Sequence, residues 1–296
     1  MRLVSLLVCI LTFHPTALLA DEKPAIMVGG RFEVEATLNI PYYEGQDADA
    51  KKHKLNLYVP KGHKDYPVLF FIHGGAWTTG DRAMYGSVGQ VFAKNGIGTV
   101  VISYRLSPKI QHPEHIRDVA RAFAWTHKNI GKYGGKPDRI FVTGQSAGGH
   151  LAALLATNET YLHAENLTLK DIKGVLPISG IYTFAPGRMK RVIGEGVEAA
   201  TSASPIKHVH GKEPPFLILY AENDFPKCDL MSKDLCKVLH DQKVAAEVKE
   251  IADRNHITIM LYSMLSEADP TTQAMLEFIA KHSNLKLEPR DSKSEN

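Results

Sequence analysis

Ile140-Phe141-Val142-Thr143-Gly144-Gln145-Ser146-Ala147-Gly148-Gly149-His150 runs from an apolar tetrad through a glycine-flanked serine into an Ala/Leu-rich stretch that continues to Thr157. The tetrad reads as a strand and Ala147 to Thr157 as a helix, with Ser146 on the turn between them. A Gly-x-Ser-x-Gly match alone is a weak signal, and a glycine-rich helix start with a capping serine would look much the same. The setting sharpens it. A strand before and a helix after are what a tight turn presenting a strained, reactive serine requires. Small residues two before and two after the serine, Gly144 and Gly148, keep such a turn free of clashes. The helix N-terminus behind it adds positive potential where an oxyanion would form.

The same strand-then-helix rhythm extends outward. Short continuous apolar runs occur at Val68 to Ile72, Thr99 to Ser103, Val175 to Ile178 and Phe216 to Tyr220. Runs of that kind belong to a parallel sheet buried on both faces. Ile116 to Tyr133, Lys227 to Gln242 and Thr271 to His282 read as helices, the first with Val119, Phe123, Trp125 and Ile130 near one face. Alternation of strand and helix predicts a doubly wound α/β sheet with right-handed crossovers, whose ligands bind beyond the strand C-termini. Before it, Phe32 to Ala36 and Leu55 to Val59 alternate in polarity and read as antiparallel strands.

The chain has 296 residues, 44% of them hydrophobic and 23% charged, with a formal net charge of +3. That is the profile of a globular protein able to bury a large core. Its dispersed Lys and Arg residues give no footprint for nucleic acid. Residues 1–20 read as a signal peptide: Arg2, then an apolar stretch from Leu3 to Phe13, with cleavage expected near Ala20-Asp21. The expected location is therefore secreted or periplasmic. The stretch is too short to span a membrane, and His14-Pro15 interrupts it, so no stable membrane insertion is expected. Residues 21–283 form the expected catalytic domain and 284–296 a polar, disordered tail. Cys228 and Cys236 are separated by about 12 Å along one helix and read as free thiols.

Three further groups complete a chemistry around Ser146. His73-Gly74-Gly75-Ala76-Trp77 ends the first long apolar strand. Its glycines leave backbone N–H groups bare toward a substrate, and with the Ala147 N–H they would form an oxyanion hole. A serine nucleophile needs a base, and the base a carboxylate to orient it. Asp224 lies past the strand Phe216 to Tyr220, and His256 past the strand Ala246 to Ile251, so both fall at strand ends after the serine. Glu222 is the second choice of acid because it lies less deep in the same loop. His240 reads as helix surface, His150 as structural and His73 as a loop-fixing residue. His112 and His115 have no third ligand beside them and read as solvated helix histidines, so no metal and no cofactor are expected.

The chain resembles the α/β-hydrolase esterases with an HGG-x-W motif, among them hormone-sensitive-lipase-like carboxylesterases, isoprenylcysteine methylesterases and kynurenine formamidases. The resemblance covers about Leu55 to Phe278. It rests on His73 to Trp77, Ser103-Tyr104-Arg105-Leu106-Ser107-Pro108, Tyr133 to Ile140, Gly144 to His150 and Asn255-His256. It implies one α/β-hydrolase domain: a mostly parallel, eight-stranded sheet with antiparallel N-terminal strands, helices on both faces, and a small cap or none. It also implies a Ser146-Asp224-His256 triad and oxyanion donors from Gly75, Ala76 and Ala147. Two positions depart from the pattern. Ala76 stands where many relatives have a third glycine, and Ser103 stands where an aspartate often precedes the Tyr-Arg pair, which puts a structural bridge in doubt. The implied activity is hydrolysis of a small-molecule ester, with an arylformamidase-type amide hydrolase as the alternative and a catalytically dead binding protein as a third. Trp77 is expected to wall the pocket. The insertion from Ile181 to Ser204 is too short for a closed lid and points to short acyl groups.

Overall fold

The computed structural model describes residues 26–27 and 32–287. The expected signal peptide and residues 288–296 of the polar tail lie outside the described residues. In chain order the elements are β1 (Ile26–Met27), β2 (Val34–Pro41), β3 (Lys54–Pro60), β4 (Tyr66–Ile72), α1 (Gly86–Lys94), β5 (Gly98–Ile102) and α2 (Glu114–Asn129). They continue with β6 (Gly135–Gln145), α3 (Ala147–Thr157), α4 (Thr160–His163), β7 (Gly174–Ile178), α5 (Lys190–Ile193), α6 (Gly196–Ser202) and β8 (Phe216–Asn223). The last are α7 (Cys228–Asp241), β9 (Ala246–Asn255), α8 (Thr258–Leu265), α9 (Pro270–Ser283) and β10 (Lys286–Leu287).

Eight strands form one sheet in the order β2-β3-β5-β4-β6-β7-β8-β9. The β2–β3 and β3–β5 pairs are antiparallel and every later pair is parallel. This is the α/β-hydrolase sheet that the sequence motifs imply. Side chains of β4 alternate between two cores, as a period of two demands. Val68, Phe70 and Ile72 point into a cluster closed by α2, α3 and α7, and Leu69 and Phe71 into one closed by α1, α8 and α9. Helices therefore cover both faces. Helix α3, at the centre, is buried along all eleven residues.

Several elements differ from the sequence expectation. Strand β6 begins at Gly135, five residues before its apolar run, because it pairs with Tyr66 of β4 at that end. Helix α1 carries Gly86 and Gly89, residues that weaken a helical reading. A side chain at Gly89 would put its Cβ 2.2 Å from the Tyr58 ring, so the glycine lets α1 lie flat on β3. The insertion after β7 holds only the short helices α5 and α6. The start of the polar tail is not structureless: Lys286–Leu287 pairs in parallel with Ile26–Met27. Among the described residues no helix is long and apolar enough to cross a membrane.

Candidate active site

Ser146 sits between β6 and α3 with φ 57° and ψ −117°. That is a left-handed backbone which a side-chain-bearing residue adopts only when its surroundings enforce it. The Ser146 N–H donates to Ile178 O of the neighbouring strand at 2.9 Å, tying the turn to β7. A methyl group on Gly148 would lie 2.0 Å from Ile72 O, and one on Gly144 would lie 2.6 Å from the same oxygen. Both glycines are thus required for α3 to start hard against β4.

Strands β8 and β9 are in parallel register with Asn223 opposite Asn255, so the next residues, Asp224 and His256, leave the sheet side by side. His256 Nε2 lies 2.9 Å from Ser146 Oγ, and its Nδ1 lies 2.7 Å from Asp224 Oδ1. Asp224 also accepts from Ser179 Oγ, from the Ala221 N–H at 3.0 Å and from the Phe225 N–H at 2.8 Å. Burial raises the affinity of this carboxyl for its proton, but the hydrogen bonds from His256, Ser179 and the two amides outweigh it and hold the group below the usual carboxylate range. The imidazole is about a quarter exposed, and its edge packs on Phe225.

Gly75, Ala76 and Trp77 have φ values of 113°, 49° and 59°, so three consecutive residues curl the loop after β4 in the left-handed region. Gly74 approaches the serine closely enough that a Cβ there would lie 3.4 Å from Ser146 Cβ. The Thr78 and Thr79 N–H groups both close back on Gly75 O. As the first residue of α3, Ala147 has an N–H with no intrahelical acceptor. The loop is pinned at several points. Tyr104 Oη donates to His73 O, the Ser107 N–H to Trp77 O and Lys52 Nζ to Gly80 O.

Trp77 is only 2% exposed, so its ring offers little open surface to a pocket. It packs edge-on against His150 and Phe184 and donates its indole N–H to His150 Nδ1 at 3.1 Å. His150 in turn donates from Nε2 to Ala203 O at 2.7 Å. Burial pushes His150 down to about 3, which keeps Nδ1 free to accept.

The remaining sequence candidates fall elsewhere. Glu222 is exposed and accepts from the Asp253 N–H at 2.9 Å. His240 bonds Ala246 O on the exposed side of α7. His73 is buried, stacked 4.4 Å from the Tyr104 ring, and donates from Nδ1 to Gly74 O. Cys228 and Cys236 are buried free thiols. The reading of His112 and His115 as solvated is corrected. Burial pushes both down to about 4, and they bond Ser202 Oγ and Ser107 Oγ. Their helix start lies under the insertion, a tertiary contact that spacing could not reveal. The bridge in doubt at Ser103 exists in another form: Ser103 Oγ accepts from the Arg82 N–H at 2.9 Å and donates to Asp81 Oδ2 at 3.1 Å. Among the described residues no cluster of three or more His, Cys, Asp or Glu is placed to hold a metal ion. The sequence reading missed Ser179, Gln145 and Phe184. Gln145 and Ser179 each had a local signal, their places at strand C-termini, whereas Phe184 had none.

The family model described as BD-FAE matches residues 55–239, more than half of the chain, from β3 through most of α7. The chain belongs to the BD-FAE family. This BD-FAE chain is 36% identical over 177 residues to a probable carboxylic ester hydrolase, LipM, of Mycobacterium tuberculosis, covering 53% of the chain and 41% of that protein. It is 34% identical over 211 residues to esterase LipQ of the same organism, covering 64% and 50%. It thus spans about half the length of these relatives. A kynurenine formamidase of Salmo salar is 25% identical over 280 residues, covering 90% of the chain and 88% of that protein. Among solved structures, esterase B from Lactobacillus rhamnosis has a TM-score of 0.73 at 23% identity, covering 85% of this chain and 86% of that one. A truncated carbohydrate esterase from gut microbiota has a TM-score of 0.72 at 21% identity, covering 88% and 100%. Both share the fold of this BD-FAE family member.

Proposed function

We propose that this protein hydrolyses small carboxylic esters through an acyl-enzyme formed on Ser146. The observation that carries the reading is the unbroken line Ser146 Oγ, His256 Nε2, His256 Nδ1, Asp224 Oδ1, at 2.9 and 2.7 Å. As Oγ attacks the ester carbonyl carbon, His256 Nε2 takes its proton. Asp224 stays ionised, accepts from Nδ1–H, and so fixes the tautomer that leaves Nε2 free. The tetrahedral oxyanion is met by the N–H groups of Gly75, Ala76 and Ala147. On collapse the carbon–oxygen bond to the alcohol breaks, His256 returns the proton to the leaving oxygen, and an acyl-Ser146 remains. Water, deprotonated by His256, then attacks the acyl carbon and releases the carboxylic acid with Ser146 restored.

Similarity to mycobacterial ester hydrolases supports the ester class. The brevity of the insertion, with helices of four and seven residues, supports short acyl groups. A formamide reading draws on one observation, the similarity to a kynurenine formamidase along nine-tenths of the chain. The same triad serves either bond. A hydrolysis panel decides: nitrophenyl esters from acetate to decanoate, acetylated sugars and N-formylkynurenine, each with wild type and Ser146→Ala. We expect the short esters to be fastest and Ser146→Ala to lose about 10⁶-fold in turnover with an unchanged melting temperature. A folded Ser146→Ala protein with near-normal turnover would sink the triad, and exclusive action on the formamide would move the assignment to amides.

A further inference from the structure

Gln145, the residue before the nucleophile, is buried and points away from the sheet core toward the histidine loop. Its Nε2 donates to the main-chain oxygen of His256 at 2.9 Å. The same nitrogen lies 3.4 Å from His256 Nε2, the atom that faces Ser146 Oγ. This orientation of the amide is dictated by its partner, since an amide oxygen there would oppose the carbonyl oxygen of His256. Its other end, Oε1, lies against Gly74, where an added Cβ would come within 2.6 Å. One side chain therefore spans from the first glycine of the oxyanion loop to the backbone of His256.

From this juxtaposition we infer that Gln145 is a positioning residue that sets the distance between Ser146 and His256. The inference rests on the hydrolase reading above. The physical reason is local. Asp224 holds the His256 ring by Nδ1, but a ring hinged at one atom can still swing or slide with its loop. The bond from Gln145 fixes the loop itself, and it starts from the residue covalently joined to Ser146. Nucleophile and base are then clamped to one another rather than each to the distant core. Because His256 acts in both acylation and deacylation, a loosened clamp slows both steps together. KM, which depends on the ratio of those steps, then stays nearly constant while kcat falls.

Two variants separate the clamp from packing. Gln145→Met fills the same space without a donor, and Gln145→Ala removes both. Each is assayed on nitrophenyl acetate, and the rate of Ser146 labelling by a fluorophosphonate is measured in parallel. Labelling needs Ser146 and His256 but no correctly guessed ester. A misplacement of this kind costs up to about 100-fold. We expect kcat and labelling to fall about 10- to 100-fold in both variants, with KM within about twofold and melting temperatures close to wild type. A Met variant that labels and turns over like wild type overturns the inference, as does loss of fold in both, because the role is then structural. Wild type that labels but cleaves nothing in the panel defeats the substrate reading alone, and the labelling rates still decide on Gln145. Wild type that does not label defeats the triad and the clamp together.

Discussion

Asp224 receives four hydrogen bonds on one carboxylate, whereas Glu222, two residues earlier, accepts among the described residues from the Asp253 amide alone. The two acids share a loop and a charge, so sequence order alone leaves them close rivals. The structure separates them because β8 continues through Asn223, which carries Glu222 out on the strand and delivers Asp224 just past its end. Asp224→Asn should lower turnover about 10⁴-fold by presenting the wrong imidazole tautomer to Ser146. Glu222→Gln should change it severalfold at most. Steady-state kinetics of the two purified variants checks the ranking, and the opposite order would transfer the role to Glu222.

The loop after β4 shows what an element needs beyond its own residues. Two glycines were legible as a bare backbone, but the loop holds its curl through Trp77, His150 and Ala203, which come from three separate segments. His150→Phe would leave the indole N–H and the Ala203 carbonyl buried without partners, at a cost of about 1–3 kcal/mol each. It should also slow turnover, since the loop loses the anchor that fixes its donors. Denaturant unfolding together with kcat tests this, and an unchanged pair of values would contradict it. At the elbow, Gly148→Ala would drive a methyl group into Ile72 O at 2.0 Å, a backbone clash that cannot relax by a rotamer change. Destabilisation by about 1–3 kcal/mol or more is expected, read as a lowered unfolding midpoint.

At the scale of the whole molecule, buried histidines couple stability to pH. Burial pushes His73, His112 and His115 down to about 4 and His150 to about 3, from an ordinary value of 6.5. Between about pH 6.5 and 4 the unfolded chain binds these protons and the native chain does not. Folding stability from this source is therefore complete above about pH 6.5 and declines as pH falls through that window, by up to about 1.4 kcal/mol per pH unit for each histidine. Carboxylates held low, such as Asp224, lose their share only at more acid pH. Urea titrations at pH 7, 6 and 5 should show midpoints that fall step by step. A midpoint flat across that range would mean that these rings are protonated in the native state.

The order of apolar runs, the glycines around Ser146, and an acid and a histidine placed past later strands are local features of the chain. They determined the α/β class and the parallel core of the sheet, and they brought Ser146, Asp224 and His256 forward as candidates, because strand period, turn sterics and chain order act between near neighbours. Helices α1 and α8 escaped that reading: the first contains two glycines, which weaken a helical reading, and the second is apolar around most of its surface and so lacks the one-sided pattern of a surface helix. Only the tertiary structure decided that Gln145 reaches His256, that Ser179 reaches Asp224, that His112 and His150 bond the insertion, and that His115 is buried against Ser107. These pairs lie between 8 and 111 residues apart in the chain. Their contacts arise from where the sheet register and the packing of α2 and α3 bring separate segments together, which no local pattern encodes.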